Sequence, residues 1–206
     1  MSFYSVYIRQ CQWTTTHSCT IYVANLLLKY NFLLCHLRSV HRRLGKDITE
    51  WFVYALVLSM LDYCNVVLAG LPASTLAPLQ RVLHMAARVV LDLKPWDHIS
   101  SSLQQLHWLP IDERITYKLY VLIHNAAVGR ALAYITDLFQ PAVTTSSWSL
   151  FRAASHGDYI VPRTNRRLTD RAFSTAAPWV WNQLPTYLEM TQLTSAFHRG
   201  LKQDLF

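Results

Sequence analysis

Glycine is scarce, with five in 206 residues. Gly45, Gly70, Gly129, Gly157 and Gly200 are too far apart in sequence to build a phosphate cradle, and no Walker loop, GxGxxG, GxSxG or HExxH pattern occurs. Acids are also few, twelve against nineteen Lys and Arg, and no two aspartates are adjacent. The four cysteines (Cys11, Cys19, Cys35, Cys64) show no CxxC spacing, and no histidine pair stands at metal-finger distance from them. That excludes the common zinc and haem patterns and reads as thiols in a reducing compartment. No asparagine lies in an N-x-[ST] context. Long apolar runs are missing too. Ile21 to Leu37 is broken by Asn25, Lys29, Asn31 and His36, and Trp51 to Leu61 is only eleven residues. A membrane-spanning helix needs roughly 20 mostly apolar residues. The opening MSFYSVYIRQCQW lacks the charged start and compact apolar core of a signal peptide. The expected location is intracellular, in nucleus or cytoplasm, with no membrane span.

What is present is grease and positive charge. Hydrophobic residues make up 52% of the chain and charged residues 15%. That is more apolar surface than one domain hides easily, as in a piece of a larger protein or a module that docks on a partner. The formal net charge is +7 and the sequence pI about 9.4, which favours polyanions, nucleic acid first. The charge lies in islands. Lys29, Arg38, Arg42, Arg43 and Lys46 occur with no acid among them, and Arg163, Arg166, Arg167 and Arg171 form a second cluster.

Apolar periodicity predicts a mainly α fold. From Lys29, residues Leu33, Leu37, Val40 and Leu44 recur at helical spacing until Gly45. Asp47 with Glu50 predicts a capping-box start for a helix apolar on both sides, with Ile48, Trp51, Phe52, Ala55, Leu56 and Ser59 on one face and Val53, Val57 and Leu61 on the other. Such a helix belongs inside a bundle. Ser74 or Thr75 should cap the next, whose core stripe is Leu79, Val82, Leu83, Ala86 and Val90. Its outer ridge is Arg81, His84 and Arg88, and Pro95 closes it. In LQQLHWLPIDERITYKLY a short helix ends near His107, and Pro110 opens a helix with first-turn acids Asp112 and Glu113. Its core side is Ile111, Ile115, Leu119, Leu122 and Ala126, with Arg114 and Lys118 as a solvent pair and Gly129 as the C-cap. A short helix from Leu132 to Phe139 comes next. Residues 142–170 read as loop and β-hairpin, with β-prone pieces at Trp148–Phe151 and Tyr159–Val161, and helices return over Arg171–Trp181 and around Leu193, Phe197, Leu201 and Leu205.

Candidates for chemistry are thin. Asp62 is an acid in apolar surroundings but has no second acid near it in sequence, and reads as a local helix-end hydrogen bonder. His107 reads as a helix-end histidine beside the core anchor Trp108. Asp112 and Glu113, being adjacent, point about a hundred degrees apart and do not face one substrate. Trp179 and Trp181 are of a type that stacks on bases, but the pair reads first as core filling.

The stretches LVLSMLDYCNVVLAGLPASTLAPLQRVLHMAARVVLDL, HISSSLQQLHWLPIDERITYKLYVLIHNAAVGRALAYITDLF, VPRTNRRLTDRAFSTAAPWVWNQLP and AFHRGLKQDLF, in that order, resemble the C-terminal region of reverse transcriptases of non-LTR (LINE-type) retrotransposons. The resemblance covers about Tyr30 to Phe206 and implies the thumb and the segment after it, which in the family lie beside the template–primer duplex. It also implies an RNA-directed DNA polymerase context in which an aromatic-x-Asp-Asp palm motif binds Mg2+. LDYC supplies only Asp62, and two-metal chemistry needs paired carboxylates. The expectation is therefore a truncated, non-catalytic region with no cofactor of its own. It would comprise residues 1–28 as an unrelated or poorly ordered N-terminal segment, 29–141 as a thumb-like irregular helical bundle, and 142–206 as a short β-hairpin/loop segment with C-terminal helices. RNA or an RNA–DNA duplex is the expected partner, and no small-molecule substrate. It would be held on its phosphates by Arg38, Arg42, Arg43, Lys46, Arg81, Arg88, Arg163, Arg166, Arg167 and Arg171. The alternative is a catalytically inert helical protein-interaction module or a non-functional gene-prediction fragment.

Overall fold

A computed structural model describes residues 16–63, 65–142, 157–165 and 167–205. It is mainly helical, and among the described residues it holds no strand. The helices are α1 Thr16–Leu44, α2 Lys46–Val53, α3 Ser59–Tyr63, α4 Ala73–Val90, α5 Ser100–Gln105, α6 Ile111–Ala127, α7 Ala133–Thr136, α8 Arg167–Asp170, α9 Phe173–Trp181, α10 Thr186–Glu189 and α11 Thr194–Leu205. The chain divides into two compact units, Met1–Arg114 and Ile115–Phe206. The division falls inside α6 and not at residue 141, where composition changes.

In the first unit α1 packs along α4. Helix α1 begins thirteen residues before Lys29 and is 29 residues long. Its buried stripe is Val23, Leu26, Tyr30, Leu34 and Leu37. Of the expected stripe only Leu37 is buried, because α4 sets the facing line and ends at Val90. The next position on the line, His41, meets the polar turn after α4, where its Nε2 lies 3.0 Å from Asp92 Oδ1.

Gly45, at φ 80°, ends α1 and serves as the N-cap of α2, with no side-chain cap. The expected Asp47 capping box is therefore corrected: Asp47 sits in the first turn, where the helix dipole favours its charge. After α2 the helix widens into a π turn, Tyr54–Leu58, in which Ser59 N–H donates to Tyr54 C=O. Val53, Val57, Leu58 and Leu61 are buried, whereas Ile48, Trp51, Tyr54 and Leu56 are exposed, so only one of the two expected apolar faces is covered within the unit.

Helix α4 starts after Pro72 with no side-chain cap, so neither Ser74 nor Thr75 plays that part. Its core stripe is as expected, with Leu79, Val82, Leu83, Ala86 and Val90 all buried. It ends before Pro95, at a left-handed Asp92 (φ 49°) followed by a Leu93 N–H bond to Arg88 C=O. Helix α5 ends the same way. His107 has φ 54°, Trp108 N–H bonds Leu103 C=O and His107 N–H bonds Gln104 C=O, a complete Schellman closure. That closure buries Trp108 and turns the chain into α6, whose first N–H, on Ile111, is taken by Gln80 Oε1 at 2.8 Å.

In the second unit the core is built from Leu119, Ile123, Ala126, Ile135, Phe139, Trp181, Leu184, Leu188, Phe197 and Leu201. Leu122, expected in the core, is half-buried and Ile123 takes its place. Gly129 (φ 73°) closes α6 as expected, with Arg130 N–H on Asn125 C=O. The expected hairpin is not shown: the described residues hold one isolated antiparallel bridge, Pro141 to Tyr159, with Gly157 at φ 83°, and Trp148–Phe151 lies outside them. Asn182 fastens that segment to the end of α9, accepting from Tyr159 N–H at 3.0 Å and donating to Tyr159 C=O at 2.9 Å.

Candidate nucleic-acid interface

Three residues of the first basic island lie in the last two turns of α1, and Lys29 lies further back on the same helix. Arg38, Arg42 and Arg43 are exposed, and Lys46, also exposed, comes just beyond the Gly45 turn. Cations in a last helical turn complement the carbonyl end of the dipole, which explains their place locally without any ligand. The fold adds one acid that the sequence kept apart. Asp92 lies 4.0 Å from Arg42 Nε and pairs with His41, so the island is not free of negative charge. Arg42 keeps 82% of its side chain exposed, and with Arg38, Arg43 and Lys46 it remains able to meet a phosphate.

Arg81 is exposed on α4, but the ridge expected beside it is only partly a ridge. Arg88 is half-buried. Its Nη2 donates to the carbonyls of Pro95 and Asp97, both at 3.3 Å, so the guanidinium braces the loop after α4. Five donors on a planar fork suit that bracing better than they suit a passing anion once two carbonyls are in place. His84 is half-buried against Gln80, 2.7 Å away, and burial followed by the Arg88 charge holds its pKa below the ordinary value, which disfavours a charge there. Between α1 and α4 lies a cleft of about 100 Å3 lined by Cys35, Arg38, His41, Met85, Arg88 and Asp92, among others.

The second island is dispersed. Arg163 is exposed in an irregular stretch, Arg166 lies outside the described residues, Arg167 opens α8, and Arg171 is half-buried. Nearby, Thr164 donates to Asp170, which places a carboxylate among these cations.

The candidates for chemistry resolve differently. Asp62 is not merely a local helix-end acid: its Oδ1 accepts from Arg114 Nη1 at 2.9 Å and from Asn65 Nδ2 at 3.1 Å. Arg114, expected in solvent, has only 11% of its side chain exposed and also donates to Leu109 C=O at 2.8 Å, and Lys118 is half-buried. Trp179 is exposed and Trp181 buried, so the pair splits between surface and core. Among the described residues no group of three or more His, Cys, Asp or Glu is placed to hold a metal ion. No helix among them is long and apolar enough to cross a membrane.

A cluster that sequence reading passed over lies in the second unit, His124, His198 and Tyr117 around Phe197, and Glu189 of the same unit is a further perturbed group. Burial first and the charge of Asp158 second raise Glu189 to a pKa of about 7. The only advance signal was a histidine inside the apolar pattern of α6. No protein-family model, curated protein or solved structure matches this chain.

Proposed function

We propose that this chain is the thumb and post-thumb region of a non-LTR retrotransposon reverse transcriptase, without polymerase chemistry of its own, and that it holds RNA or an RNA–DNA duplex through phosphates. Two things support the reading: the ordered motifs from Tyr30 onward, and an architecture that is helical as such a region requires. The observation that carries the binding is the exposed group Arg38, Arg42, Arg43 and Lys46 around the end of α1. Such side chains contact phosphate oxygens without reading bases, so the affinity is nonspecific. Arg81 and Arg163 are auxiliary contacts, and Arg88 is withdrawn from the set by its bonds to the loop.

The test is fluorescence anisotropy of a labelled RNA–DNA duplex against salt. Each phosphate neutralised contributes ~0.9 to the slope of log K on log salt, so three or four contacts give a slope of about −3. Arg38→Glu, Arg42→Glu and Arg43→Glu together should abolish binding, with the melting midpoint lowered only by the lost charge complement at the helix end, about 0.3–1 kcal/mol for each residue in the last turn. No binding at low salt, or a triple variant that binds as before, sinks the proposal.

A second reading has its own observation. Ile48, Trp51 and Tyr54 present an uncovered apolar face within the first unit, as a helical protein-interaction module would. Trp51→Glu abolishes partner capture on that reading and leaves duplex binding unchanged on the first.

A further inference from the structure

We propose that His124 and His198 form a proton-operated latch, which holds α11 against α6 while both imidazoles are neutral and releases it when they become charged. The geometry is a sandwich. Phe197 of α11 is fully buried, with the His124 ring stacked on it at 4.0 Å and 5°, and Trp181 on it at 6.1 Å and 26°. Its neighbour His198 makes a 2.5 Å hydrogen bond, Nδ1 to Tyr117 OH. Tyr117 and His124 are two turns apart on α6 and therefore share a face, so two adjacent residues of α11 are gripped by two stacked turns of α6.

A neutral imidazole suits this site and an imidazolium does not. His124 is 1% exposed and its Nε2 has no hydrogen-bond partner, so a proton added there becomes a buried donor facing nothing. At His198 the contact with Tyr117 OH is compatible with Nδ1 as donor or as acceptor, so it is burial and the charge of Lys202 that disfavour the imidazolium. The charges that reach these rings are positive. Arg130, just beyond α6, bonds Thr194 at the start of α11, and Lys202 stands one turn past His198. The nearby acids act elsewhere: Asp158 on Glu189, and Asp204 with Glu189 on Tyr120. Burial first, then His198 and Arg130, lowers the pKa of His124; burial first, then Lys202, lowers that of His198.

The sign comes from linkage. Both groups have folded pKa values below the ordinary 6.5, so the released or unfolded form takes up protons first. The docking of α11 is fully present above pH 6.5 and is lost as pH falls below it. Glu189 works the other way. Raised from 4.5 to about 7, it favours the folded form increasingly as pH drops from 7 toward 4.5, so its contribution must be removed to see the latch alone. Release uncovers Phe197 and Leu201, giving α11 an apolar face only in acid.

The experiment is hydrogen exchange of the full chain at pH 7.5 and 5.5, corrected for intrinsic rate, in a Glu189→Gln background. Protection of α11 should fall about tenfold or more at pH 5.5, one pH unit below the ordinary histidine value. His124→Phe keeps the stack and His198→Gln keeps a partner for Tyr117, and the double variant should hold its protection at both pH values. Should His124→Phe fail to fold, His198→Gln alone must reduce the pH effect, and the imidazole NMR signals of the unsubstituted chain must titrate below 6.5. Protection of α11 that is indifferent to pH, a loss spread evenly over the whole chain, or titration of His124 at or above 6.5 overturns the latch.

Discussion

At the scale of single residues, the charges that looked reactive are structural. Asp62 and Arg114 stand 52 positions apart and join α3 to the first turn of α6 within one unit. Because Asp62 keeps 40% of its side chain exposed and Arg114 only 11%, removal of the acid strands the better-buried partner. Asp62→Ala should lower stability by about 1–3 kcal/mol in a urea melt, less than a fully buried pair would lose. Arg114→Lys should recover only part of what Arg114→Ala loses, since an ammonium cannot reach Asp62 and Leu109 C=O as a planar fork does. Gly129 isolates backbone strain, because a Cβ there meets nothing within 4 Å while φ is +73°. Gly129→Ala should cost about 1 kcal/mol, read as a shift in denaturation midpoint at unchanged slope.

At the scale of elements, helix type and core stripe were legible wherever a pattern was dense. Helix α4 shows its stripe in full, and Gly45 and Gly129 announced helix ends through their freedom to adopt positive φ. The ends at Asp92 and His107 were not legible as left-handed positions. A non-glycine residue there is held by the Schellman bonds and, at His107, by the burial of its neighbour Trp108. The phase of α1 was hidden for a related reason: the facing line is chosen by α4, and its last member is a histidine paired to an aspartate 51 residues on. The candidate binding set was legible in part. Arg38, Arg42, Arg43 and Lys46 are exposed as expected, but the role of Arg88 depends on two carbonyls that no spacing rule reports. Close approach of elements was also hidden. A Cβ on Gly200 of α11 would come 2.6 Å from Leu188 Cδ2 of α10, inside a buried cluster. Gly200→Ala should cost about 1–2 kcal/mol by overpacking in spite of its better helix propensity, and Leu188→Val in the same chain should recover part of it in a thermal melt.

At the scale of the whole molecule, composition sets behaviour. A chain of net charge +7 with nine histidines becomes more positive as pH falls. Its affinity for an RNA–DNA duplex at fixed salt should therefore rise by about two- to tenfold between pH 7.5 and 5.5, measured by anisotropy, and the gain should vanish at high salt. The exposed Ile48, Trp51 and Tyr54 act on colloidal behaviour. Trp51→Glu should leave the melting curve within about 0.5 kcal/mol and raise the concentration at which light scattering detects association. The π turn at Tyr54–Leu58 has a consequence for the length of the chain. Deleting a residue from an ordinary helix swings everything after it by about 100°, which would carry Asp62 away from Arg114. A π turn already holds one residue more than an α turn needs, so a one-residue deletion within it restores α geometry and keeps the downstream phase. That makes Tyr54–Leu58 the place in this helix where the loss of one residue can enter a lineage without the rest of the unit registering it.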